Sequence, residues 1–171
     1  MRSRHVLSDS RTRDLLHHGF PARLHYRLEL WSTSGWFDNQ VGKAEWDVIV
    51  RFTPLDKRYA VLRIENDRVS QLGPFERFDE AVAAVERPFR PEIRAPARRD
   101  KQYYRLVLDV AMLTVNDLDE VERWLRGEFR PAVRGQRNPG TAITRGVRSL
   151  VVGLLGSQNQ EYQMRTRTFV P

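Results

Sequence analysis

The sequence predicts an α+β domain with a mainly antiparallel sheet covered on one face by helices. Three observations carry that prediction. Apolar and polar residues alternate in three successive N-terminal segments and again late in the chain, which is the period of strands with one wet face. After Gly73-Pro74 the apolar spacing lengthens to the roughly 3.6 residues of an amphipathic helix. The strands are grouped rather than interleaved one by one with helices, giving the order β-β-β-α-β-α-α-β.

The elements follow in chain order. Ser8 is placed to cap a short helix over Asp9 to His18, with Leu15 and Leu16 inward and Gly19 as a left-handed stop. Arg23 to Trp31 then alternates, Leu24, Tyr26, Leu28 and Leu30 against His25, Arg27 and Glu29. Ala44 to Phe52 repeats the pattern, and Tyr59 to Glu65 does so with Ala60, Leu62 and Ile64 inside; the Pro54-containing turn joins the two, so three strands make a meander. The Ser32 to Gly42 connection holds Trp36 and Phe37 and either folds over the sheet edge or is exposed for contact. Phe75, Phe78, Val82 and Val85 form the stripe of a helix that Pro88 ends.

Beyond it, Arg87 to Asp100 spaces Pro88, Pro91 and Pro96 among arginines and reads as extended and solvated. Tyr103 to Met112 is a further strand. Thr114 or Asn116 caps a helix with Asp117, Asp119 and Glu120 in its first turn and Arg123 and Arg126 in its last, ahead of Gly127. Thr141 to Leu155 is a third amphipathic stretch, suited to covering the sheet or to docking on a membrane or partner. Tyr162 to Val170 alternates again, as an edge strand would, with Gln163, Arg165 and Arg167 on its other face. The expectation is one domain over residues 1–171, with a basic Pro-rich loop at 87–101 and a helical insertion at 117–156.

Composition bounds the function. The chain has 171 residues, 40% apolar and 30% charged, enough for one core and too few for two enzyme domains. No apolar run approaches the ~18 residues of a membrane span. Without cysteine, thiolate metal sites, iron-sulfur clusters and cysteine nucleophiles are excluded. Met1 to Leu7 has cations but no apolar export core, so the expected compartment is the periplasmic side of the cell envelope where an export segment lies upstream, and the cytoplasm otherwise.

Charge is unevenly placed. Residues 87–105 carry net +5 and residues 123–148 net +6, against −4 for the remainder. Two such blocks steer an anionic partner to one side if they meet in space. The arginines expected to bind a partner are Arg90, Arg94, Arg98, Arg99, Arg126, Arg130, Arg134, Arg137, Arg145 and Arg148.

Catalytic readings are weaker. His5, His17, His18 and His25 do not form a ligand set, since adjacent His17 and His18 cannot share a helix face, and no metal or cofactor is expected. Ser32 and Ser34 near His25 lack a nucleophile elbow. Glu45 and Asp47, with Glu29 beside them, could act as acid and base, but on an exposed strand face they pair with Arg27, Arg51 and Arg63. Gly146 and Gly153 belong to no phosphate-binding fingerprint.

Leu15-Leu16-His17-His18-Gly19-Phe20-Pro21-Ala22-Arg23-Leu24, continuing to Leu30, then Glu45-Trp46, Tyr59 and Phe78-Asp79-Glu80-Ala81, resemble an uncharacterised family of bacterial envelope proteins, a domain of unknown function. The likeness spans roughly Leu15 to Leu113 and implies a secreted or membrane-tethered β-rich domain with no established enzyme activity. The resulting expectation is a non-enzymatic accessory domain that binds another protein in or on a membrane-associated assembly, with an anionic lipid surface as a further contact. The alternative is a nucleic-acid-binding protein in which Phe89, Tyr103 and Tyr104 stack bases between arginines.

Overall fold

A computed structural model of the chain describes residues 6–7, 9–34, 36–66, 68–93, 96, 100–113 and 160–171. Helix α1 (Ser10–His17) leads into strands β1 (Ala22–Ser34), β2 (Phe37–Thr53), β3 (Arg58–Glu65) and β4 (Arg68–Phe75). Helix α2 (Phe78–Val85), β5 (Lys101–Met112) and β6 (Gln160–Arg165) follow. The strands form one six-stranded sheet in the order β4-β3-β2-β1-β5-β6, with every neighbouring pair antiparallel.

The alternation read in β1 sets both faces of the sheet. Leu24, Tyr26, Leu28, Trp46, Val48, Val50, Tyr59, Val61, Leu106, Leu108 and Val110 line the core face, all buried. In β3 this corrects the expected inward set: register sets Val61 opposite Val50 and Tyr59 opposite Phe52, so Ala60, Leu62 and Ile64 fall on the other face. Tyr26 and Trp46 lie across from each other in register and stack with centroids 5.0 Å apart. Onto this face settle Leu16 from α1, Ala81 and Val85 from α2, and Val6 and Leu7.

The expected α+β architecture, helices covering one face, is overturned: of the described residues 58% are strand and only 14% helix, in two helices. Each has eight residues, about 12 Å of length, too short to cover strands of up to 17 residues, about 55 Å when extended. Cover is completed by the chain after α2. Residues 88–93 form neither helix nor strand and, against expectation, are not wholly solvated: Phe89 and Ile93 pack against the core and Pro91 is buried, while Arg90 and Glu92 are exposed. The expected helices at 117–156 lie outside the described residues.

Local chemistry explains the boundaries. Asp9, not Ser8, caps α1, accepting a 2.8 Å hydrogen bond from the Thr12 amide. Gly19 ends it at φ +87, a conformation that side chains disfavour. Strand β4 has no clear alternating signal, and Phe75 belongs to it rather than to the helical stripe. Gly73, at φ +133 beside the register shift at Val61/Leu62, lets the strand bend, and Pro74 is accommodated because β4 is a sheet edge.

Leu24 is fully buried and Leu55 is 94% exposed. Leu24→Ala is therefore expected to lower unfolding free energy by about 2–5 kcal/mol, and Leu55→Ala by less than about 0.5 kcal/mol. Paired urea titrations check this; equal losses would show that the core is not where the burial pattern puts it.

Candidate functional site

The second face of the sheet carries charge at the positions that alternate with the core. Arg23 Nε donates to Asp47 Oδ1 at 2.8 Å, and His25 Nδ1 lies 3.0 Å from the same oxygen. Lys43 Nζ is 2.7 Å from Glu45 Oε1. Further along β1, Glu29 receives 2.7 Å and 2.8 Å hydrogen bonds from Arg105 and Trp31 and faces Arg27 Nε at 3.2 Å. Cross-strand register puts these partners together: Arg27 is opposite Glu45 on one side, and Glu29 is opposite Lys43 and Arg105 on the two sides.

This ladder holds the Asp47 and Glu29 carboxylates in the charged form. Burial pushes the Asp47 carboxyl up, but the His25 hydrogen bond and the Arg23 guanidinium outweigh it and hold the group below its ordinary range. Glu29 is likewise pushed up by burial and brought below its ordinary value by Arg105, Trp31 and Arg27. A general acid at neutral pH needs the opposite shift. Ser32 and His25 stand seven residues apart on the single strand β1, roughly 23 Å along it, so the two are not a nucleophile and its base. Among the described residues no group of three or more His, Asp and Glu can hold a metal ion.

Two open clefts lie among the described residues. One, of about 620 Å³, lies between α1, the β2–β3 turn and the start of α2, with Arg13, His17, Lys57 and Tyr59 on its walls. The Tyr59 hydroxyl is 3.1 Å from the His17 ring, and burial pushes its pKa up, so it stays protonated. The cleft's acids, Glu76 and Asp79, are ion-paired with Arg58 and Arg77 at 3.3 Å. The other, of about 390 Å³, is floored by Arg51, Arg58 and Ala60. Neither contains Glu29, Glu45 or Asp47.

Two exposed aromatic groups sit together at one end of the sheet. Trp36 is 97% and Phe37 78% exposed at the tip of the β1–β2 hairpin, where Ser34 pairs with Phe37. This settles the Ser32 to Gly42 connection: it is the end of a long hairpin presented to solvent, not a flap over the edge. Register brings Lys101 opposite Thr33 at the same end, and Val170, 61% exposed, follows Phe169, which bridges Gln102. Tyr103 donates 2.9 Å to Asp38, fixing the base of the hairpin.

Of the arginines expected to bind a partner, Arg90 is described and exposed. Arg94, Arg98, Arg99, Arg126, Arg130, Arg134, Arg137, Arg145 and Arg148 lie outside the described residues. The hairpin end was legible only as two aromatics in a connection. Its position at a sheet end depends on pairing that alternation does not reveal.

Fold and site together define an open antiparallel sheet domain with a charged second face and an apolar hairpin end. Residues 5–118 match the family described as Domain of unknown function (DUF4390), and the chain belongs to that family. The segment of resemblance, Leu15 to Leu113, falls inside the match. No curated protein and no solved structure matches the chain. Among the described residues no helix is long and apolar enough to cross a membrane.

Because Asp47 and Glu29 sit below their ordinary values of 3.8 and 4.5, the stability they contribute is present above those values and is lost as pH falls through the lowered ones. Asp47→Asn should reduce stability at neutral pH, where Arg23 and His25 lose their partner, and flatten its decline on acidification. Urea midpoints from about pH 7 to about pH 3 measure this; an unchanged slope would refute the Asp47 assignment.

Proposed function

We propose that the domain is a non-enzymatic accessory module that binds another protein within a membrane-associated assembly of the bacterial cell envelope. The observation that carries this reading is the hairpin end, where Trp36 and Phe37 are presented at 97% and 78% exposure on two paired strands. Solvent gains nothing from ordering two large aromatic groups at a tip, whereas aromatic side chains near the centre of a contact dominate its energy. The locked carboxylates of the second face support a binding role over hydrolysis by Glu45 or Asp47. The envelope setting rests on the family likeness and the membrane setting on the expected character of the 141–155 segment.

The nucleic-acid reading draws less support. Tyr103 is buried under Arg165, whose guanidinium carbon is 3.6 Å from the ring centre. Tyr104 stacks on Phe169 with centroids 5.4 Å apart, and Phe89 is held between Trp46 and Arg63. The three aromatics meant for bases are thus occupied by the fold.

The test is a photo-crosslinking residue placed in turn at Trp36, Phe37 and Leu55 in producing cells. Adducts to a protein chain in the membrane fraction are expected from positions 36 and 37 and not from 55, which is 94% exposed on a turn at the far end of β2. Equal yields from all three, or no adduct at 36 and 37, would defeat the proposal.

A further inference from the structure

Strand β2 is longer than its outer neighbour. It has 17 residues, but β3 pairs only with Asp47 to Thr53. Among the described residues the outer edge of Phe37 to Trp46 therefore has no strand partner, and the sheet ends there in a step. Filling that step takes an extended segment of roughly 33 Å that stops where β3 begins. Unpaired edge amides and carbonyls template such a strand.

We propose that the segment is the same stretch of a second copy of this chain, the two overhangs pairing antiparallel about a two-fold axis. The inference rests on reading the hairpin end as an interaction surface, and it names the partner there. Geometry supports it first: each copy's hairpin projects past its own β3 by the length of the other's step. An isologous contact of this kind uses both steps at once and closes at two chains.

Register supplies the second argument. The bulge between Leu30 and Trp31 leaves Val41 as an extra residue on β2, so Asp38 falls on the same face as Lys43, and Phe37 on the same side as Ala44. An antiparallel pairing that sets Asp38 opposite Lys43 of the second copy also sets Phe37 opposite Ala44 and Asn39 opposite Gly42, with like faces together throughout. Asp38, which accepts from Tyr103, and Lys43, which pairs with Glu45 in its own chain, then face each other across the axis and add two opposite-charge contacts on the second face. On the core side, exposed Phe37 moves beside Ile93 of the second copy, whose Cγ1 is 3.1 Å from where a Cβ on Gly42 would stand. Trp36 stays at the rim, available to the rest of the assembly. The other two edges offer no such match, since β4 is bent at Gly73 and carries Pro74, and β6 has six residues.

Sedimentation equilibrium of the full chain tests this. A reversible species of twice 20.1 kDa is expected. Asp38→Lys and Lys43→Glu, each of which faces like charges across the axis twice, should each weaken it by about tenfold or more. Mixing the two variants restores both opposite pairs in a heterodimer, so affinity should recover toward the native value. Phe37→Ser, at a site 78% exposed and thus outside the core, should weaken the dimer with the monomer's circular dichroism unchanged. A chain that stays monomeric up to about 1 mM, or a dimer indifferent to all three changes, overturns the proposal. The crosslinking separates the two readings: position 36 or 37 adducts to a different protein from a monomeric chain would leave the interaction role standing and the self-pairing lost.

Discussion

The structure depends on what β1 must do in the middle of the sheet. It is hydrogen-bonded along both sides, to β2 and to β5, so its backbone is satisfied and its side chains decide the rest. One face of it, Leu24, Tyr26 and Leu28, must be covered, and the neighbouring strands place their own apolar residues in the same layer. The opposite face, Arg23, His25, Arg27 and Glu29, is held between strands, where isolated charge would be costly. Charged residues of β2 and β5 stand directly across from His25, Arg27 and Glu29, and Asp47 reaches Arg23 diagonally; that is why Glu29 can be 5% exposed and still ionised. A register slip of one residue would turn both faces inside out, so the ladder and the core specify the same alignment.

That constraint also sets the charge state of the second face. Catalytic carboxylates are held in environments that push their pKa values apart. Here Asp47 and Glu29 are both shifted downward, and each answers to at least two donors. The arrangement rigidifies three long strands. A rigid hairpin, in turn, can hold Trp36 and Phe37 away from the core at little further conformational cost, since the base of the hairpin is fixed by the Tyr103 to Asp38 hydrogen bond.

Much of this was legible from residue order, for reasons that differ by element. Strands β1 and β2 announce themselves because one face is buried and the other largely charged, which is the condition under which alternation appears; β5 alternates although Tyr103, Val107 and Ala111 are buried on its second face, and β3 alternates with Ala60, Leu62 and Ile64 half-buried on the face away from the core. Strand β4 is an edge, mostly exposed and bent at Gly73, so nothing forces its sequence to alternate. The helical cover was overestimated because Phe75 extends the apolar spacing of α2 backward, although it belongs to β4, and because Arg87 to Ile93 looks solvated in composition while alternating Phe89, Pro91 and Ile93 inward. Paired charges were anticipated around Glu45 and Asp47, but the partners differ. Lys43 and the pair Arg23 and His25 hold these acids, because cross-strand register, not sequence proximity, chooses them.

The unequal lengths of β2 and β3 were invisible to any local pattern, yet they shape the surface proposed for pairing. A strand edge left open is a hazard that proteins blunt with bulges, lysines or short strands. This one has a bulge at Val41 and a lysine at 43, but both lie where they also give the overhang a defined parity and a charge pattern, Asp38 and Lys43, that is complementary to itself. A device serving only to prevent pairing would not need opposite signs on one face, and a purely accidental overhang would not place its most exposed aromatic groups beyond the last charged position. The same features that would deter an arbitrary strand therefore select one partner sequence, the stretch from Phe37 to Trp46 itself.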